Sequence, residues 1–136
     1  GVSMPAAHRT LLADYVNGGG TLFADDGNPG VWGEASAFMT SFLAEMVATF
    51  GGQGAYLPES HPLFTAHYLL AGGAPPTEWS AETRVRAIEV GGEAGVVMTK
   101  NDYGSGLEDA TTGWCYDNSL KMTTNVAVYA LRKACQ

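Results

Sequence analysis

Five side chains in this sequence have the types and spacing to do chemistry: Asp25, Asp26, His61, Asn101 and Asp102. Carboxylates, an amide and an imidazole are oxygen and nitrogen ligands suited to a divalent ion such as Mg²⁺, Ca²⁺ or Zn²⁺. The same groups serve general acid–base catalysis when proximity or burial raises the pKa of one carboxylate. A structural role competes with both. An Asp at the end of a strand commonly caps a turn through its side-chain oxygen, Asn101-Asp102 ahead of Gly104 is ordinary turn chemistry, and His61-Pro62 suits a turn. The identity of any metal or cofactor is left open by these residues.

Other reactive residues carry weaker signals. Ser60 beside His61 does not make a catalytic pair, because adjacent residues in an extended segment point to opposite sides. Ser105 lies in Gly104-Ser105-Gly106, but Tyr103 breaks the GxSxG pattern of a nucleophile elbow. Cys115 and Cys135 are not in a CxxC arrangement, so they are one disulfide or two thiols and not a metal or redox pair. Trp32, Trp79 and Trp114 fall in expected loops, where they cover core edges.

The elements that must position these groups follow from the pattern. Residues 5–16 read as a helix, with Pro5 in its first turn and Leu11, Leu12, Tyr15 and Val16 on one face. After Gly18-Gly19-Gly20, the uninterrupted apolar run at 21–24 predicts a strand covered on both faces, with Asp25 and Asp26 at its C-terminal end. Ligands in open α/β sheets sit at that end. A turn-rich loop is expected over 25–30, then a helix over 33–50 with Phe38, Phe42, Met46 and Phe50 as its core stripe. Residues 55–57 suggest a short edge strand stopped by Pro58, and 71–80 an exposed connection. Alternation over 84–90 predicts a half-buried strand; Gly91-Gly92 a hairpin turn; and 94–99 a buried strand. Residues 100–106 form a polar loop, and a last helix covers 118–134 with Val126, Tyr129 and Leu131 inward. A helix feeding a strand through a glycine turn is half of a βαβ unit, so the sheet is expected to be mostly parallel with an antiparallel edge.

Composition bounds the function. The 136 residues suit one domain spanning 1–136, with 46% hydrophobic and 15% charged residues. A formal charge of −7 disfavours nucleic acid as a partner. No apolar run reaches the roughly 20 residues of a transmembrane helix. Low lysine content, the acidic balance and a start without Met lean towards an exported, periplasmic or otherwise processed chain.

Four stretches, GGGTLFADD (18–26), PESHPLF (58–64), KNDYGSG (100–106) and TTNVAVYALRK (123–133), together resemble a bacterial domain-of-unknown-function family. That family looks like the class I glutamine-amidotransferase-like folds. The resemblance implies a three-layer flavodoxin-like α/β sandwich and a further strand upstream of the first helix, so the sheet is expected to be incomplete at its N-terminal side. It does not carry amidotransferase activity over, since no cysteine nucleophile elbow is present. The expected function is therefore a non-catalytic binding or assembly module within a larger assembly. A protein partner or neighbouring subunit would complete the sheet beside strand 21–24. The alternative is a metal-assisted hydrolase in which one strand-end carboxylate holds the ion and another takes a proton from its water.

Overall fold

The computed structural model describes residues 1–27, 36–108, 111 and 113–136. Along the chain run helix α1 (Ala6–Asn17), strand β1 (Leu22–Asp25), helix α2 (Ala37–Phe50), strand β2 (Ala55–Tyr56) and a 3₁₀ turn (Pro62–Thr65). Strands β3 (Arg86–Val90) and β4 (Glu93–Thr99) and helices α3 (Tyr103–Glu108) and α4 (Trp114–Ala134) complete it. The expected loop at 28–30, the start of the second helix at 33–35 and Trp32 lie outside the described residues. The described helix α2 opens at Ser36, whose hydroxyl accepts from the Met39 N–H at 2.9 Å.

The four strands form one mixed, open sheet in the order β1-β4-β3-β2. Only β1 and β4 are parallel; β4 with β3 and β3 with β2 are antiparallel. The expectation of a mostly parallel sheet is thus corrected. Gly91-Gly92 reverses the chain with both residues at positive φ, which places β3 between β4 and the edge, and β2 then pairs back onto β3. Among the described residues no strand precedes α1, and the one parallel pair, β1 with β4, is joined through α2, β2 and β3.

Burial also redistributes. Strand β4, one of the two interior strands, is buried from Ala94 to Thr99, whereas β1 buries only Ala24 fully. Among the described residues β1 pairs with β4 alone, so it is an edge strand by pairing, while its two faces meet different cores, Phe23 packing against one and Leu22 and Ala24 against the other. Gly95 is an extra residue in β4, because Ile88 pairs with Val96 while Glu89 pairs with Ala94. A Cβ at Gly95 would lie 2.8 Å from both Val16 Cγ1 and Val90 Cγ2, so only glycine lets α1 approach the bulge.

Helices cover both faces of the sheet. On one face Ala94 and Val97 pack with Met122, Val126 and Tyr129 of α4, and with Leu63 and Phe64. On the other, Ala24, Val96, Met98 and Ile88 pack with Met46 of α2, flanked by Leu12, Phe42 and Leu43. The bulge explains how Ala94 and Val97, three residues apart, share a face. Three helix-face assignments change: Leu11 and Tyr15 of α1, Phe38 of α2 and Leu131 of α4 are exposed. Residues 103–106 of the expected loop belong to helix α3, and α4 begins at Trp114, which brings Cys115 into its first turn. Cys115 is buried and Cys135 exposed, both as free thiols. Among the described residues, no helix is long and apolar enough to cross a membrane.

Candidate functional site

The parallel register of β1 and β4 sets Asp25 opposite Thr99. The loops leaving both strands therefore meet at one end of the sheet, the end at which ligands of open α/β sheets sit. Asp25 Oδ1 accepts from Thr99 Oγ1 at 2.7 Å and from the Asn101 N–H at 3.3 Å. Its Oδ2 accepts from the Tyr103 N–H at 2.6 Å. One carboxylate thus holds the last residue of β4, the following loop and the first residue of α3. Burial pushes the Asp25 carboxyl above its ordinary value, against the opposing pull of its bonds to Thr99, Tyr103 and Asn101.

The neighbouring residues are equally committed. Asp26 is buried, and its N–H donates to the Thr99 carbonyl at 3.1 Å. Asp102 has φ 55, a left-handed conformation that Asp tolerates in tight turns, and its Oδ1 accepts from the Ser105 N–H at 3.2 Å. The same Asp102 oxygen sits 3.5 Å from where a Cβ on Gly27 would be, so the two loops touch. Asn101 is buried, and its amide nitrogen reaches Tyr103 Oη at 2.9 Å, the Pro75 carbonyl at 3.1 Å and the Glu82 carbonyl at 2.8 Å.

His61 lies elsewhere. It caps the 3₁₀ turn, its Nδ1 accepting from the Leu63 N–H at 3.2 Å, and its ring centre is 5.3 Å from that of Tyr129. Tyr129 in turn donates to Glu93 Oε2 at 2.9 Å and accepts from the Ala94 N–H at 2.9 Å. Both partners begin β4, whereas Asp25 and Asn101 attend its end, roughly 20 Å of strand away. Burial lowers the His61 pKa, partly offset by Glu93. The structure thus brings Asp25, Asp26, Asn101 and Asp102 together and leaves His61 apart. Among the described residues no group of three His, Cys, Asp or Glu side chains is arranged to hold a metal ion.

Beside the strand ends lies a cleft of ≈ 380 Å³ between α2 and strands β2, β3 and β4. Cross-strand register explains it: Met98 pairs with Arg86 and Arg86 with Tyr56, so these side chains form one row on the α2 face. Met39 and Leu43 of α2, with Met98, form its apolar lining, and Arg84, Arg86, Lys100 and Glu82 its charged lining. Thr99 also lines it, which joins the cleft to the Asp25 network. Both guanidinium groups lie over the Tyr56 ring, at 4.4 Å for Arg84 and 4.7 Å for Arg86. Glu82 grips Arg84 in a fork at 2.8 and 2.9 Å, and this hydrogen bonding depresses its pKa from 4.5 to about 2.

The walls of this cleft come from four separated segments, which no local sequence pattern links. The alternation at 84–90 carried one faint signal, since Arg84 and Arg86 fall on the same side of a strand.

A family model described as a domain of unknown function (DUF4159) matches residues 1–131. The chain belongs to that family. No curated protein matches the chain. The strand-end network and the cleft of this DUF4159 domain both lie within the matched span, as does the His61–Tyr129–Glu93 group.

Proposed function

We propose that this DUF4159 domain is a non-catalytic binding and assembly module on an amidotransferase-like, flavodoxin-related α/β fold, working as a subunit of a larger assembly. The observation that carries the reading is the edge position of β1, which pairs with β4 alone among the described residues. The Asp26 N–H points at β4, so by alternation the Ala24 and Leu22 backbone groups do too. Those of Phe23 and Asp25 then point to the open side, ready to pair with a further strand. Support for a non-catalytic role comes from Asp25, whose two oxygens are taken up by the loop it holds. The parallel β1–β4 pair with helices on both faces favours the amidotransferase-like fold.

Amide hydrogen exchange of the isolated chain tests the edge. The Ala24 and Asp26 amides are expected to be protected and those of Phe23 and Asp25 to exchange at rates close to those of an unstructured chain. Protection at Phe23 and Asp25 equal to that at Ala24 would mean that the edge is already paired, and the assembly reading would fall.

A further inference from the structure

We propose that the cleft between α2 and strands β2, β3 and β4 binds a small organic anion: one carboxylate or phosphate group on an apolar, preferably aromatic, body. The proposal gives the binding half of the preceding reading a ligand class, and it does not depend on the β1 edge.

Charge is the first argument. The chain carries seven Lys and Arg against fourteen Asp and Glu, yet three of the seven, Arg84, Arg86 and Lys100, line this one cleft with a single carboxylate, Glu82. A protein with an acidic surface thus concentrates positive charge at one concave place, where apolar walls strengthen its field. Shape is the second. A volume of ≈ 380 Å³ falls within the range of small-molecule sites and is too small for a folded partner. Met39, Leu43 and Met98 offer a soft apolar surface at its base, and methionine adapts to a flat ring.

The arrangement of the cations supplies the third argument. The Arg86 Nη2 donates to Tyr56 Oη at 3.0 Å, and both guanidinium groups lie over the Tyr56 ring. Arginine forks held in place bind carboxylate and phosphate oxygens in pairs. The Glu82 carboxylate already occupies the Arg84 fork in the way a ligand would. It is an internal competitor, positioned by the bond from Asn101 to the Glu82 carbonyl. An incoming anion is drawn by Arg84, Arg86 and Lys100 together and shares or displaces Glu82 at Arg84.

The test uses the whole chain labelled with ¹³C at its five methionine methyls. Phenyl phosphate, phenylacetate, inorganic phosphate and neutral benzyl alcohol are titrated separately. Met39 and Met98 line the cleft, whereas Met122 is buried on the opposite face and reports on intact folding. The expected result is a saturable shift of Met39 and Met98 with phenyl phosphate, phenylacetate or both, weakening with salt and leaving Met122 still. Arg86→Gln should weaken binding about tenfold, the loss of a charge-assisted bond. Glu82→Gln should tighten it about threefold by removing the competing carboxylate, a gain that damage to the fold would not produce.

Benzyl alcohol binding as tightly as phenyl phosphate would overturn the anion assignment while the binding reading survives. Unchanged or weaker affinity in Glu82→Gln would remove the internal competitor. No movement of Met39 or Met98 with any probe at millimolar concentration would sink both the assignment and the binding half of the proposed function.

Discussion

Replacing Asp25 by alanine is expected to cost about 3 kcal/mol of stability, more than a typical single substitution. The loss has three parts: the Thr99 hydroxyl, the Asn101 N–H and the Tyr103 N–H all lose their acceptor in partly buried surroundings. Asp25→Asn should cost less, about 1–2 kcal/mol, because the amide keeps one oxygen and turns the other position into a donor facing a donor. The dependence on pH separates this account from a simple ion pair. Burial raises the native-state pKa above 3.8, so the native protein takes up this proton at a higher pH than the unfolded chain does. Between those two values the folded state binds more protons, and the stability contributed at this position falls as pH rises. The gap between the wild type and Asp25→Ala should therefore be widest below about pH 3.8 and shrink as pH rises through the native-state value. Urea unfolding of both proteins across the acid range measures it. A gap that widens with rising pH would mean that the native state favours the charged form.

The second large effect is expected at Asn125, which is fully buried in α4. Its Nδ2 donates to the Leu63 and Tyr68 carbonyls, both at 2.9 Å. Its Oδ1 accepts from the His67 and Tyr68 N–H groups at 3.2 and 2.8 Å. All the hydrogen-bonding capacity of one side chain thus pins the segment after the 3₁₀ turn to the helix. Asn125→Ala leaves four backbone groups without this partner and should cost about 3–5 kcal/mol, lowering Tm by well over 10 °C for a domain of this size. Thermal unfolding checks the magnitude. A change below about 1 kcal/mol would mean that water replaces the amide and the segment is held by its apolar contacts.

These two residues mark where the sequence was and was not legible. Asp25 was visible because it ends an apolar strand after a glycine turn, a local pattern with a positional meaning. Its closeness to Asn101 and Asp102 followed once the strands at 21–24 and 94–99 were taken as parallel, and they are the one parallel pair. Asn125 had no local signature: an amide within a helix reads as solvated unless its partners, about 60 residues away, are known. His61 was misplaced beside the carboxylates for a related reason, since its loop docks on Tyr129 of α4 through contacts that spacing does not encode. The cleft was hidden because its lining comes from α2, β2, the approach to β3 and the end of β4. Sheet direction failed at Gly91-Gly92, where a hairpin that was itself foreseen put antiparallel pairing into the sheet centre.

The central claim is that the strand-end carboxylates are a structural clamp and that ligand chemistry belongs to the cleft beside them. Titration with Mn²⁺, read by the broadening of backbone amide signals, tests it most directly. The account predicts that the Gly27, Tyr103 and Gly104 amides, which border Asp25 and Asp102, stay as sharp as those of the α4 core at millimolar ion. Selective, saturable broadening of those three amides would contradict it and would place a metal centre at the ends of β1 and β4.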